Sequence, residues 1–203
     1  MRKRVYISAD YSVEDGDLDV VETLTGWGSD SLHKVDFVDM SQVVSGSVSE
    51  DKDCRPCDLK EEFNKQINAS SAVIIVIGDK TAIRTAGSNC SRVNNEQKNC
   101  SCTPYKQNAS GSKTCKVYAT SIPSKDGDVG NINSYSYLRH EYEQAKKRNK
   151  TIIVVYNSLN KQASWLPGYM KDYESDAQPF WIKNSYGEKV GNYLYIKESL
   201  GYV

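Results

Sequence analysis

Three short apolar runs limit the fold more than any other feature of the chain: RVYISA at 4–9, AVIIVIG at 72–78 and TIIVVYN at 151–157. Each is β-branched and nearly continuous, the pattern of a strand covered on both faces. KVDFVDM (34–40) alternates and fits a strand nearer a sheet edge, and QPFWIK (178–183) offers a fifth. Helical spacing fills the intervals. DLDVVETLTGW (17–27) has apolar residues at 18, 21, 24 and 27, and DLKEEFNKQI (58–67) aligns Leu59, Phe63 and Ile67. Asp58 and Glu61 there have the spacing of a capping box. YLRHEYEQAKKRNK (137–150) aligns Leu138, Tyr142 and Ala145 and gathers Lys and Arg in its last turn, as the helix dipole favours. GNYLYIKESLGYV reads as a closing helix. Strands alternating with helices predict a single α/β domain, with a parallel sheet of about five strands in flavodoxin-like order and helices on both faces. Sites in such sheets lie at the carboxyl ends of the strands, here the loops after residues 9, 40 and 78.

The 203 residues suit one well-cored domain, and 26 basic against 26 acidic residues argue against a nucleic-acid binder, which carries a basic surplus. MRKRVYISADY passes from a basic tip into a strand without the apolar region of a signal peptide, and no stretch is long enough to span a bilayer. A cytoplasmic protein without membrane contact is the expectation. Its six cysteines then point to metal, redox work or packing rather than a disulfide framework.

From about 84 to 133 the chain is rich in Gly, Ser, Asn, Lys and Cys, and reads as an insertion before the helix at 137. Cys90, Cys100, Cys102 and Cys115 lie within it. Four thiolates can bind a tetrahedral zinc, although C-x9-C-x-C-x12-C departs from paired C-x2-C knuckles. Disulfides formed on purification and free thiols are the alternatives. CRPC (54–57) superficially resembles a thioredoxin-type motif but follows a long loop rather than a strand.

Glu141 is the anomaly of the third helix, a carboxylate among Leu138, Tyr142 and Ala145. Either it turns to water or to a neighbour such as Arg139 or Lys146, or it faces a cleft that needs negative charge. The ordered segments KRVYISADY, FVDMS, DLKEEFNKQINASSAVIIVIG and SYLRHEYEQAKKRNKTIIVVY resemble bacterial TIR-like proteins, in particular the TIR component of Thoeris anti-phage defence systems. The helix motif is carried by Tyr137, Arg139 and Glu141, and the following strand by Lys150, Ile152, Ile153 and Val155. The resemblance covers roughly 1–83 and 134–183 and excludes the insertion. Tyr142 replaces the usual aliphatic residue, and Tyr137 stands where Trp is frequent.

The resemblance implies an enzyme that cleaves the nicotinamide–ribose bond of NAD and hydrolyses or cyclises the ADP-ribose, with Glu141 as the catalytic residue. It also implies a homo-oligomer or an effector-protein partner reached through a cyclic ADP-ribose-like messenger. The chemistry suits one carboxylate. Nicotinamide departs neutral from a pyridinium, so the acid that glycoside hydrolases use to protonate a leaving oxygen is not needed. The remaining task is to stabilise an oxocarbenium-like ribose and hold its hydroxyls.

Around the nucleotide, Ser8, Ala9, Asp10 and Tyr11 would face the cleft, with small residues at 8 and 9 and a ring at 11 for stacking. The alternative is an ordinary strand-to-helix loop with Asp10 or Ser12 acting as a cap. Gly78 and Lys80 offer a close-approach glycine and a cation for phosphate, or a plain turn. Asp39 and Ser41 end the second strand where TIR proteins touch nucleotide and neighbouring protomers, and Tyr137 belongs to the helix motif. His140 reads as packing or surface. Two other readings share the architecture: a non-enzymatic interaction module, and a nucleoside deoxyribosyltransferase-like enzyme that also relies on a carboxylate. A receiver domain would want paired acids after the first strand, and no glycine-rich phosphate fingerprint is present.

Overall fold

The computed structural model describes residues 3–12, 14, 16–29, 35–39, 55–85, 105–107, 113–115 and 136–202. The apolar runs form β1 (Lys3–Ser8), β3 (Ala72–Ile77) and β6 (Thr151–Tyr156), and all six residues of β3 are buried. The alternating run forms the four-residue β2 (Val35–Val38). These strands and β7 (Gln178–Pro179) make one sheet in the order β2-β1-β3-β6-β7, with every pairing parallel. Counting only these five strands along the chain, the order is 2-1-3-4-5, consistent with a flavodoxin-like fold.

Among the described residues, four α-helices accompany the sheet: α1 (Leu18–Ser29), α2 (Arg55–Ala69), α3 (Tyr137–Lys147) and α4 (Tyr193–Ser199). Successive strand residues point to opposite faces, so each central strand serves two cores. Val5, Ile7, Ala72, Ile74, Val76, Ile153 and Val155 pack with Val20, Val21 and Leu24 of α1 and Ile196 of α4. Tyr6, Val73, Ile75, Ile77, Val154 and Tyr156 pack with Phe63 and Ile67 of α2 and Leu138, Tyr142 and Ala145 of α3.

The helix α3 has well-defined ends. Ser136 is its N-cap and accepts a hydrogen bond from the Arg139 amide at 3.0 Å. At the other end Asn149 takes a positive φ of 51°. The Lys150 amide donates to the Ala145 carbonyl and the Asn149 amide to that of Lys146, both at 3.0 Å. That pair is a Schellman closure with asparagine in the left-handed position, and it turns the chain into β6.

Two expectations are corrected. α2 begins at Arg55, with Pro56 in its first turn, where a missing N–H is tolerated. Asp58 therefore lies inside the helix, and the capping box at 58 and 61 does not set its start. The run 178–183 is not one strand. β7 stops at Pro179, which cannot extend a hydrogen-bonded ladder through its own nitrogen. β8 (Trp181–Lys183) instead pairs antiparallel with β9 (Lys189–Gly191). Within the insertion, β4 (Tyr105–Gln107) and β5 (Lys113–Cys115) form an antiparallel pair. Apart from residues 84 and 85, its remaining residues, with Cys90, Cys100 and Cys102, lie outside the described residues, and so does Cys54 of CRPC. No helix among the described residues is long and apolar enough to cross a membrane.

Candidate functional site

Strand alternation puts Tyr6 and Ser8 of β1 on the sheet face covered by α2 and α3. Both are fully buried. Glu141 lies just beyond the first turn of α3 and points at this pair. The Tyr6 hydroxyl donates to Glu141 Oε1 at 2.7 Å, and the Ser8 hydroxyl donates to Oε2. Only 3 % of Glu141 is exposed. It does not turn to water. Arg139 instead lays its guanidinium over the Tyr169 ring, 5.1 Å from the centroid, and Lys146 donates to the Tyr142 hydroxyl at 3.3 Å.

The electrostatics follow from this burial. Desolvation pushes the Glu141 carboxyl from 4.5 up to about 7, against the opposing pull of the Ser8 and Tyr6 hydrogen bonds and the Lys60 charge. Lys60 of α2 is itself fully buried. The Tyr6 phenol is raised well above its usual value, by burial first and then by the neighbouring carboxylate, so it remains a donor across the physiological range. The result is an acid that titrates near neutrality at the carboxyl end of a central strand, where pKa-perturbed groups are candidates for chemistry.

The polar surroundings extend down the seam between α2 and α3. His140 Nε2 lies 2.9 Å from Asn64 Oδ1, both residues being buried. Gln144 donates to Asn68 Oδ1 at 2.9 Å. His140 is thus a packing residue of the seam. Lys60, Asn64 and Asn68 recur at helical spacing beside the apolar stripe of Leu59, Phe63 and Ile67. That repeat is the one sequence signal that could have located the seam, whereas nothing in VYIS distinguishes Tyr6 from an ordinary core residue.

The structure brings Ser8 and Glu141 into direct contact and places Tyr137 close by, its ring edge-on to Phe63 at 5.7 Å. Ala9 and Tyr11 continue from Ser8 and are half-buried, with the Tyr11 hydroxyl reaching back to the Ile7 carbonyl at 3.4 Å. Asp39 follows β2, and Ser41 lies outside the described residues. Asp10 turns elsewhere, accepting from Arg84 Nε at 2.6 Å and from the Ser12 amide at 3.0 Å. The Ser12 contact is the local capping geometry of a loop aspartate.

Gly78 and Lys80 belong to a turn in which the Gly78 amide donates to Thr81 Oγ1 at 2.8 Å. The space beside Gly78 is taken by Asp17, since a Cβ there would stand 2.5 Å from Asp17 Oδ1. Asp17 accepts from Asn157 Nδ2 at 3.0 Å, and Asn157 Oδ1 accepts from Trp181 Nε1 at 2.6 Å. Burial raises Asp17 from 3.8 to about 6. This chain ties the loop after β1 to the ends of β3 and β6, and it forms a second polar cluster, in which Gly78 and Asp10 take part.

Among the described residues no group of three or more His, Cys, Asp or Glu is arranged to hold a metal ion, and Cys115 closes β5. No protein-family model, curated protein or solved structure matches the chain.

Proposed function

We propose that the chain is a TIR-like, NAD-consuming enzyme of bacterial antiviral signalling. In this reading it releases nicotinamide and forms an ADP-ribose-derived signal, with Glu141 stabilising the ribosyl cation. One observation carries the reading: a buried carboxylate at the carboxyl end of β1, oriented by two hydroxyls and poised to ionise near neutrality. An ionised carboxylate in a dry site stabilises developing positive charge far better than one in water. It can also accept hydrogen bonds from ribose hydroxyls through the lone pairs that Tyr6 and Ser8 leave open. Tyr11, Tyr137 and Lys60 surround this corner with rings and a cation suited to a nucleotide. Only 3 % of Glu141 is exposed, so in this reading NAD binding opens the corner.

The test is nicotinamide release from NAD by concentrated protein, compared with Glu141→Ala. A drop of about 100- to 1,000-fold is expected on losing the charge that faces the transition state. Equal release by both proteins would remove Glu141 from the chemistry. Release of a free base from deoxynucleosides but not from NAD would assign the same carboxylate to nucleoside transfer.

A further inference from the structure

We infer that Tyr6 and Ser8 are the positioning residues of this site, holding one oxygen each of the Glu141 carboxylate so that its orientation is set by the sheet rather than by its own helix. The inference rests on the reading of Glu141 as the functional carboxylate, and its geometry is independent of the substrate. A glutamate side chain has three rotatable bonds, and a helix restricts chiefly the first of them. Here both oxygens are held from β1, by residues 135 and 133 positions away in the chain. The two donors share one strand face and are fully buried, and Tyr6 is anchored through its ring in the core.

The pair also sets the proton affinity. Hydroxyls that donate to a carboxylate favour its charged form. Among the described residues, the other ionisable groups acting on this corner are Lys60 from α2, which favours the carboxylate, Tyr169 from the segment after β6, and Tyr11 and Glu62 near Tyr6. Against burial, Tyr6 and Ser8 therefore keep part of the Glu141 population ionised at neutral pH. Loss of either donor raises the proton affinity and frees the carboxylate to turn.

The experiment titrates Glu141 in the intact protein by its infrared carboxyl band, identified as the band missing from Glu141→Gln. Tyr6→Phe, which keeps the ring, is expected to move the midpoint up by about one pH unit, the usual weight of one hydrogen bond to a carboxylate. Ser8→Ala is expected to move it the same way, and it keeps the test open if Tyr6→Phe does not fold. Where nicotinamide is released, the acidic limb of the rate–pH profile moves with the infrared midpoint. An unmoved midpoint in both folded variants overturns the inference. A moved midpoint in a protein that never releases nicotinamide sustains the positioning role and sinks the proposed activity instead.

Discussion

The two faces of the sheet are built from the same strands and differ in what their helices bring. On one face, α1 and α4 meet β1, β3 and β6 through aliphatic and aromatic side chains, from Val5 and Ile7 to Leu24 and Ile196. On the other, α2 and α3 cover an apolar layer but meet each other across Lys60, Asn64, His140, Glu141 and Gln144, all buried. A helix–helix seam gains most from close-packed apolar side chains, and buried polar groups add little net stability even when hydrogen-bonded. The first face is therefore read as the one that holds the fold together. The second gives up some stability to keep a carboxylate in place.

The sharpest way to break this contrast is to damage the apolar face alone. Leu24 is fully buried among Val20, Val21 and the β1 aliphatics. Leu24→Ala is expected to lower unfolding free energy by about 2–5 kcal/mol, measured by chemical denaturation, with the infrared titration of Glu141 in the folded protein unchanged. A variant of undiminished stability, or one whose Glu141 midpoint moves, would mean that the two faces are not separable.

The polar face should reveal itself through pH. Glu141 has a folded-state value of about 7 against an ordinary 4.5, so the native state holds that proton more tightly than the unfolded chain does. Its contribution is fully present below about 4.5 and is lost as pH rises toward 7. A displacement of this size corresponds to about 3 kcal/mol. Glu141→Gln should flatten the decline in stability between pH 5 and 7. Part of the slope remains, because Asp17, raised from 3.8 to about 6, acts in the same direction. An undiminished slope in Glu141→Gln would show that the carboxylate is not buried in solution.

A smaller effect is expected deeper in the seam. Asn64→Ala removes one hydrogen-bond partner of His140 Nε2 and should lower stability by about 1 kcal/mol, the usual net weight of a hydrogen bond. It should leave the Glu141 titration in place, because the hydrogen bonds to that carboxylate come from Tyr6 and Ser8. Movement of both would join the whole seam into one network.

Much of this architecture was legible beforehand. The runs at 4–9, 72–78 and 151–157 became the central parallel strands to within a residue at each end, and the stripe of Leu138, Tyr142 and Ala145 became the buried face of α3. Continuous β-branched runs and a helical apolar repeat are local signals, and burial on both faces of a sheet leaves few other ways to satisfy them. The start of α2 and the end of β7 were misjudged for a related reason. A helix can begin before its apolar repeat does, and a proline at an edge limits pairing that composition alone suggests.

Glu141 was visible as an anomaly: the residues alone favoured a solvated or paired side chain, and the family resemblance favoured one that faces a cleft. Residue types and spacing determined that a carboxylate would stand on the α3 stripe, and that β1 would carry a tyrosine and a serine on alternate positions of one face. Only the tertiary structure decided that these three side chains meet, because parallel strand order and helix placement together bring residues 133 and 135 positions apart into hydrogen-bond contact. The partners of a buried charge are set by long-range packing, and local sequence carries no record of them.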